Sequence, residues 1–219
     1  VKRIIFSVWS DLGPDWEDYK QILTEKHEDY AYFCNADYGL YDTKLNFVDL
    51  QFYKIHLAEQ LVNDYDEVLY LDLDVIPKRL KSFFDVHDLN NICCHRTNKP
   101  DWKINLKRYM LDGAGEHNII NTGVFGMNKQ AADQLMFSER YGEAEKVYYE
   151  CDVDRLYKPN NEVFLSYIIE KYNVPFTDIG IQWNYILDQI VTQYTPACYF
   201  LHQSNKEFDD VLNNINYSF

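Results

Sequence analysis

Glycine and proline are scarce, at 8 and 6 of 219 residues, while hydrophobic residues make up 47%. That balance excludes a collagen-like repeat, a polar low-complexity segment and a disordered tail. The chain has no run of 18 apolar residues, so no membrane span is expected. The opening KRIIFSVW carries only a short apolar run, broken by Ser7, so no secretory leader is expected there. Val1 is not an initiator residue, so the chain either stands alone or is cut from a longer protein. Basic side chains are outnumbered, 21 against 35 acidic, for a net charge of −14. A field of that sign repels nucleic-acid backbones and anionic membranes, so neither is an expected partner. A phosphate ligand stays open, because a bound divalent cation reverses the local sign. The five cysteines (Cys34, Cys93, Cys94, Cys151, Cys198) are odd in number, and their spacings fit neither a zinc knuckle nor a disulfide framework. Free thiols in a reducing, cytoplasmic compartment are expected.

What the chain does have is aromatic bulk, with 19 Tyr and 13 Phe, enough to fill a core or line a groove that holds rings. Residues 3–9 read as a buried first strand and 15–27 as a weak helix. Residues 31–34 read as a second strand, ended by Asn35-Ala-Asp37-Tyr38-Gly39. Apolar positions 47, 50, 53, 57 and 61 recur at helical steps, with Lys54 at the edge of the stripe. Residues 68–71, Val-Leu-Tyr-Leu, form a continuous apolar strand of the kind found at the centre of a parallel sheet. Alternating strands and helices predict an α/β fold, a Rossmann-type mostly parallel central sheet flanked by helices. Residues 80–90 read as an amphipathic turn and 91–95 as a fourth strand. Residues 96–118 show no clean period and read as a lid. Residues 119–127 give a strand interrupted by Gly123, and helices are expected at 129–137, 139–150 and 161–171.

The sharpest chemical signal is Asp72-Leu73-Asp74 at the end of the apolar strand. In an extended segment, side chains two apart share one face. Two carboxylates on one face repel unless a cation lies between them, and a hard divalent ion, Mn²⁺ or Mg²⁺, is the natural partner. Such an ion stabilises a departing diphosphate as a Lewis acid.

Val68-Leu-Tyr-Leu-Asp72-Leu-Asp74-Val75, then Asn121-Thr-Gly-Val-Phe-Gly-Met-Asn128, then His202 with Lys206, resembles a metal-dependent GT-A glycosyltransferase. The resemblance is to the small glycogenin and galactosyltransferase-like enzymes and to the compact glycosyltransferase domains of large algal viruses. It runs in order from about residue 3 to residue 206. It implies one GT-A domain over 1–219, with a nucleotide-binding part at about 1–95 and a donor-sugar and acceptor part at about 96–219. It implies that Asp72 and Asp74 hold Mn²⁺ or Mg²⁺ against the diphosphate of a nucleotide sugar, with His202 as a further ligand. Lys206 and Lys54 then touch the donor's phosphates or sugar. The chain has His202-Gln-Ser-Asn-Lys206 where the family carries a glycine and a longer spacing. Ser7 and Trp9 lie where the nucleobase and ribose usually sit, Trp9 either stacking on a pyrimidine or filling the core. Asp37 and Tyr38 would close over the base or ribose. Asn121, Thr122 and Gly123 resemble the segment lining the donor sugar, Gly123 allowing either close approach of a hexose or a strand bulge. The family's usual donor is a uridine diphosphate sugar. The implied acceptor is a hydroxyl of a glycan or glycoprotein, and a viral chain would act in the host-cell cytoplasm.

The family's Asp-Gln-Asp falls on Asn160-Asn161-Glu162 here, so only the last position keeps a carboxylate. An inverting reaction needs a general base, for which Glu162 is the first candidate and Asp152 the second. Asp152-Val-Asp154 otherwise reads as a solvated acidic turn, and Trp183-Asn184-Tyr185 as acceptor groove or core. Two rival enzyme classes use a similar carboxylate–metal pair, nucleotidyltransferases and nucleotide-sugar phosphohydrolases. The single glycine in Ser10-Asp-Leu-Gly-Pro14 argues against the sugar-activating nucleotidyltransferases. A binding domain that lost turnover is the non-enzymatic alternative.

Overall fold

The computed structural model describes residues 1–10, 17–151, 157–186 and 197–202. The strands in chain order are β1 (Arg3–Ser10), β2 (Asp37–Thr43), β3 (Glu67–Leu71), β4 (Val75–Pro77), β5 (Ile92–Thr97), β6 (Ile119–Asn128), β7 (Phe176–Asp178), β8 (Tyr185–Ile186) and β9 (Phe200–His202). The helices are α1 (Glu17–Phe33), α2 (Phe47–Leu61), α3 (Asp101–Met110), α4 (Lys129–Leu135), α5 (Phe137–Glu150) and α6 (Asn161–Tyr172).

A six-stranded sheet runs in the order β2-β1-β3-β6-β5-β7. β1 pairs in parallel with β2 and β3, and β5 with β7, while β6 is antiparallel to both β3 and β5. Five strands therefore share one direction and β6 alone opposes them, which is the mixed, mostly parallel sheet expected from the sequence. Both faces of β3 are covered. Val68 and Tyr70 pack with Phe52 and Ile55 of α2 and Phe164 of α6, whereas Leu69 and Leu71 pack with Tyr30 and Ala31 of α1 and with Phe83, Trp183 and Phe200. Burial on both sides is why the sequence reads as an unbroken apolar run there rather than an alternating one.

A second, three-stranded sheet has the order β4-β9-β8. β9 is antiparallel to β4 and sets His202 opposite Val75. This small sheet closes over Trp9, Leu23, Leu73 and Leu201. Among the described residues, no helix is long and apolar enough to cross a membrane.

The structure corrects three expectations. Residues 31–33 end helix α1, and the second strand begins only at Asp37. The run Ala31-Tyr-Phe-Cys34 suggested a strand by its aromatics, but Leu23, His27, Tyr30 and Ala31 are buried while Tyr32 is 90% exposed, a helical rather than an alternating period. Residues 96–118 are not one irregular excursion, since they contain the end of β5, helix α3 and the start of the turn into β6. Ile104, Lys107 and Met110 form the buried stripe of α3. Its period was hidden because a lysine occupies a core position, where Lys107 pairs with Glu170 and donates to the Asn118 carbonyl at 2.7 Å. Finally, Asp72-Leu73-Asp74 is not extended. It is a tight turn closed by the Val75 N–H donating to the Asp72 carbonyl at 2.9 Å.

Candidate metal centre

That turn is gripped from two sides. Ser7 on β1 donates its hydroxyl to the Leu71 carbonyl at 2.8 Å. His27 on α1 sets Nε2 2.6 Å from the Val75 carbonyl, and since a carbonyl only accepts, Nε2 carries the proton. The remaining ring nitrogen of His27 lies 3.0 Å from the Ser7 hydroxyl and 3.4 Å from that of Tyr38. The Asp72 N–H donates to the Gly123 carbonyl at 2.8 Å, which ties the turn to β6.

Burial pushes His27 down to about 4, against opposing contributions from the Val75 carbonyl and from Asp74 and Asp72. The unfolded chain takes up a proton on this imidazole near pH 6.5, whereas the folded chain resists it until about pH 4. Stability is therefore full above pH 6.5 and is lost as the pH falls toward 4, by roughly 3 kcal/mol from this group. Urea unfolding followed across that interval should show this decline, and His27→Gln should flatten it. Equal slopes in both proteins would remove His27 from the account.

Three candidate ligand residues converge at the turn. One ligand atom each from Asp72, Asp74 and His202 lie within 4.8 Å of one another. His202 Nε2 is 3.4 Å from Asp74 Oδ1 and 3.9 Å from Asp72 Oδ2. Asp74 and His202 are buried and Asp72 partly so. Two carboxylate oxygens and an imidazole nitrogen form a donor set that suits a hard or borderline divalent ion such as Mn²⁺ or Mg²⁺. The cluster can thus chelate a divalent cation. The β4–β9 pairing explains how a histidine from the far end of the chain arrives beside this turn.

Lys54 lies under the cluster rather than beside it. Its Nζ donates to Asp72 Oδ1 and to the Thr122 carbonyl, both at 3.0 Å, and rests over the Tyr70 ring. The Tyr70 hydroxyl also donates to Asp72 Oδ1. One oxygen of Asp72 is therefore spoken for by two donors, and the other faces Asp74 and His202. The lysine offsets part of the repulsion between the two carboxylates.

Asn121, Thr122 and Gly123 line the same centre from β6. Between Cys94 and His95 the β5–β6 register shifts, so Asn121 pairs with His95 while Thr122 and Gly123 are skipped in the pairing with β5. Gly123 admits the His202 ring: a Cβ there would sit 2.3 Å from Cε1 and 2.7 Å from Nδ1. Thr122 accepts from the Asn161 amide on its hydroxyl at 2.8 Å. Glu162 is buried in the first turn of α6, just after the Asn160 cap. Its Oε1 accepts from Asn121 Nδ2 at 2.9 Å and from the Thr122 N–H at 3.4 Å, and its Oε2 pairs with Lys103 of α3.

Asp72, Asp74, His202, Lys54, Asn121, Thr122, Gly123 and Glu162 thus meet in one place. Others named from the sequence do not join them. Ser7 is fully buried behind the turn, with its hydroxyl engaged as described. Trp9 is 4% exposed in the small core, with Lys20 over its ring. Asp37 pairs with Ile4 at the start of the parallel strands, the opposite end of the sheet from Asp72, and Tyr38 follows it in β2 but turns its hydroxyl toward His27, behind the turn. That placement follows from β2 beginning, not ending, at Asp37. Asp152 and Lys206 lie outside the described residues. Sequence reasoning missed Lys103, which the start signal Pro100-Asp101 before a helical period could have flagged. It also missed the side-chain role of Asn184, for which the sequence carries no signal. Cys93 and Cys94 are strand residues on opposite faces of β5, and burial pushes the Cys93 thiol up to about 12.

No protein-family model and no curated protein matches the chain. Solved structures do. A glycosyltransferase involved in glycosylation of the major capsid of PBCV-1 aligns at a TM-score of 0.63 and 15% identity, covering 97% of this chain and 100% of its own. The galactosyltransferase LgtC, in complex with donor and acceptor sugar analogues, aligns at 0.60 and 10% identity over 92% of this chain and 87% of its own. Mouse xyloside xylosyltransferase 1 aligns at 0.56 and 10% identity over 93% and 98%. The fold is therefore the GT-A-like α/β fold, and the resemblance drawn from sequence holds at that level.

Proposed function

We propose that this chain is a metal-dependent glycosyltransferase that moves a sugar from a nucleoside diphosphate sugar, uridine-linked by resemblance, to a hydroxyl of a glycan or glycoprotein. The observation that carries this reading is the convergence of Asp72, Asp74 and His202 at the end of the third strand of a GT-A-like sheet. Open α/β sheets bind ligands at the carboxyl ends of their strands, which is where this cluster lies. Asp72 Oδ2, Asp74 Oδ1 and His202 Nε2 would hold Mn²⁺ or Mg²⁺. Such a cation supplies charge stabilisation to the leaving diphosphate. Lys54 keeps Asp72 aimed, and Asn121 and Glu162 shape the wall facing the sugar. The acceptor oxygen attacks the anomeric carbon, the bond from that carbon to the phosphate oxygen breaks, and the diphosphate leaves with the electron pair. With both oxygens of Glu162 engaged, Asp152 is the remaining candidate to take the acceptor's proton. Lys206 is the candidate for a second phosphate contact.

Calorimetry with a panel of uridine- and guanosine-linked sugars, with Mn²⁺ and with chelator, tests this. Binding of a uridine donor only with the cation is expected, with slow release of nucleoside diphosphate until an acceptor is added. Donor-independent heats, or identical binding in chelator, would sink the reading. Full-rate release of free sugar without acceptor would instead make the chain a phosphohydrolase.

A further inference from the structure

A continuous chain of hydrogen bonds connects the metal cluster to helix α6, and its polarity can be deduced. Asn121 Oδ1 accepts from the backbone N–H of Gly123 at 3.0 Å, and a backbone N–H can only donate. Asn121 Nδ2 faces Glu162 Oε1 at 2.9 Å, and a carboxylate paired with a lysine can only accept. Those two contacts fix which end of the Asn121 amide is oxygen. Asn184, completely buried, lies 2.7 Å from that same oxygen and must present its NH₂ to it. Its own oxygen then faces His202 Nδ1 at 3.0 Å. An acceptor there requires Nδ1 to carry a proton, which in the neutral ring leaves the lone pair on Nε2, the nitrogen aimed at Asp72 and Asp74.

We propose that Asn184 is a positioning residue that, held by Asn121 and Glu162, locks His202 in the tautomer whose Nε2 can ligate a divalent cation. The proposal deepens the metal-site reading above and rests on it for its consequence, though not for the tautomer itself. Partners of this kind raise ligand basicity and fix ring orientation, and their loss costs about 10- to 100-fold in metal affinity. The carboxylate of Glu162 serves here as the fixed acceptor at the far end of the chain. That role differs from proton abstraction and accounts for an acid at this position being saturated by Lys103, Asn121 and Thr122.

Two measurements on the intact chain test it. Nitrogen-15 NMR of the histidine rings at mildly alkaline pH reads the tautomer in the unaltered protein without metal. A pyrrole-like Nδ1 and a pyridine-like Nε2 are expected for His202, and the reverse assignment overturns the proposal even if every variant fails to fold. Manganese affinity by calorimetry then compares Asn184→Leu with Asn184→Asp. The leucine variant should lose about 10- to 100-fold. The aspartate variant keeps an acceptor for Nδ1 and should recover most of that loss. Equal affinity in the leucine variant and the wild type contradicts the proposal. Failure of the wild type itself to bind manganese, with the expected tautomer present, strikes the metal reading and leaves the positioning of His202 standing.

Discussion

Asp72→Ala is expected to destabilise the protein by about 3–5 kcal/mol and to lose manganese-dependent nucleotide binding. The cost lies in what this carboxylate does when the fold forms. Asp72 is the ion-pair partner of Lys54, whose side chain is only 5% exposed, and is the acceptor for the Tyr70 hydroxyl. Removing it leaves a buried ammonium with the Thr122 carbonyl and the face of Tyr70 as its remaining described neighbours. An uncompensated buried charge is the costly case, dearer than replacing the whole pair by apolar groups. Asp72→Ala combined with Lys54→Met should therefore recover much of the stability without recovering the nucleotide. Asp72→Asn keeps an oxygen for both donors and should fall between. Urea unfolding reads the stability, and calorimetry with Mn²⁺ reads the binding. A fully stable Asp72→Ala protein would show that the Lys54 pair is not buried as described.

Gly123→Ala should be the most damaging small change at the site. The added methyl would sit 2.3 Å from His202 Cε1, well inside contact distance, and 3.1 Å from Asn121 Oδ1. His202 cannot easily retreat, because its backbone is paired with Val75 and its ring is held by Asn184. Gly123 is not among the glycines with positive φ, so the alanine backbone itself is unstrained and the effect is confined to this contact. Manganese affinity should fall at least as far as in His202→Ala. Adding His202→Ala to Gly123→Ala should then cost little more, since the clash and the ligand disappear together. Such non-additivity is the signature of two residues acting at one contact. Additive losses in the cycle would argue that the ring does not occupy the space above Gly123.

The strongest parts of both fold and site were legible because they are local. The run from Val68 to Leu71 announced a central strand, Asp72 and Asp74 announced charge at its end, and residues 161–171 announced a helix that the structure bears out. What the sequence concealed was long-range. The aromatics at 31–34 carry β propensity, yet α1 packs Tyr30 and Ala31 against the sheet and leaves Tyr32 in solvent. Lys107 disguised α3 because its charge is neutralised by Glu170, more than sixty positions away in sequence. Lys54 reads as a surface lysine until β6 and the turn after β3 supply its two oxygens. Asn184 is silent in sequence, since an amide's role depends on which neighbours have a fixed hydrogen-bonding sense.

The pairing of β9 with β4 has a consequence for synthesis. Asp72 and Asp74 emerge from the ribosome well before His202 does. A polypeptide that has not reached His202 can display the acidic turn but cannot assemble the three-ligand cluster, so cation capture through all three ligands would mark a chain whose β4–β9 pairing has formed. The ion would then report a long-range contact, of the kind whose loop-closure cost tends to delay it in folding.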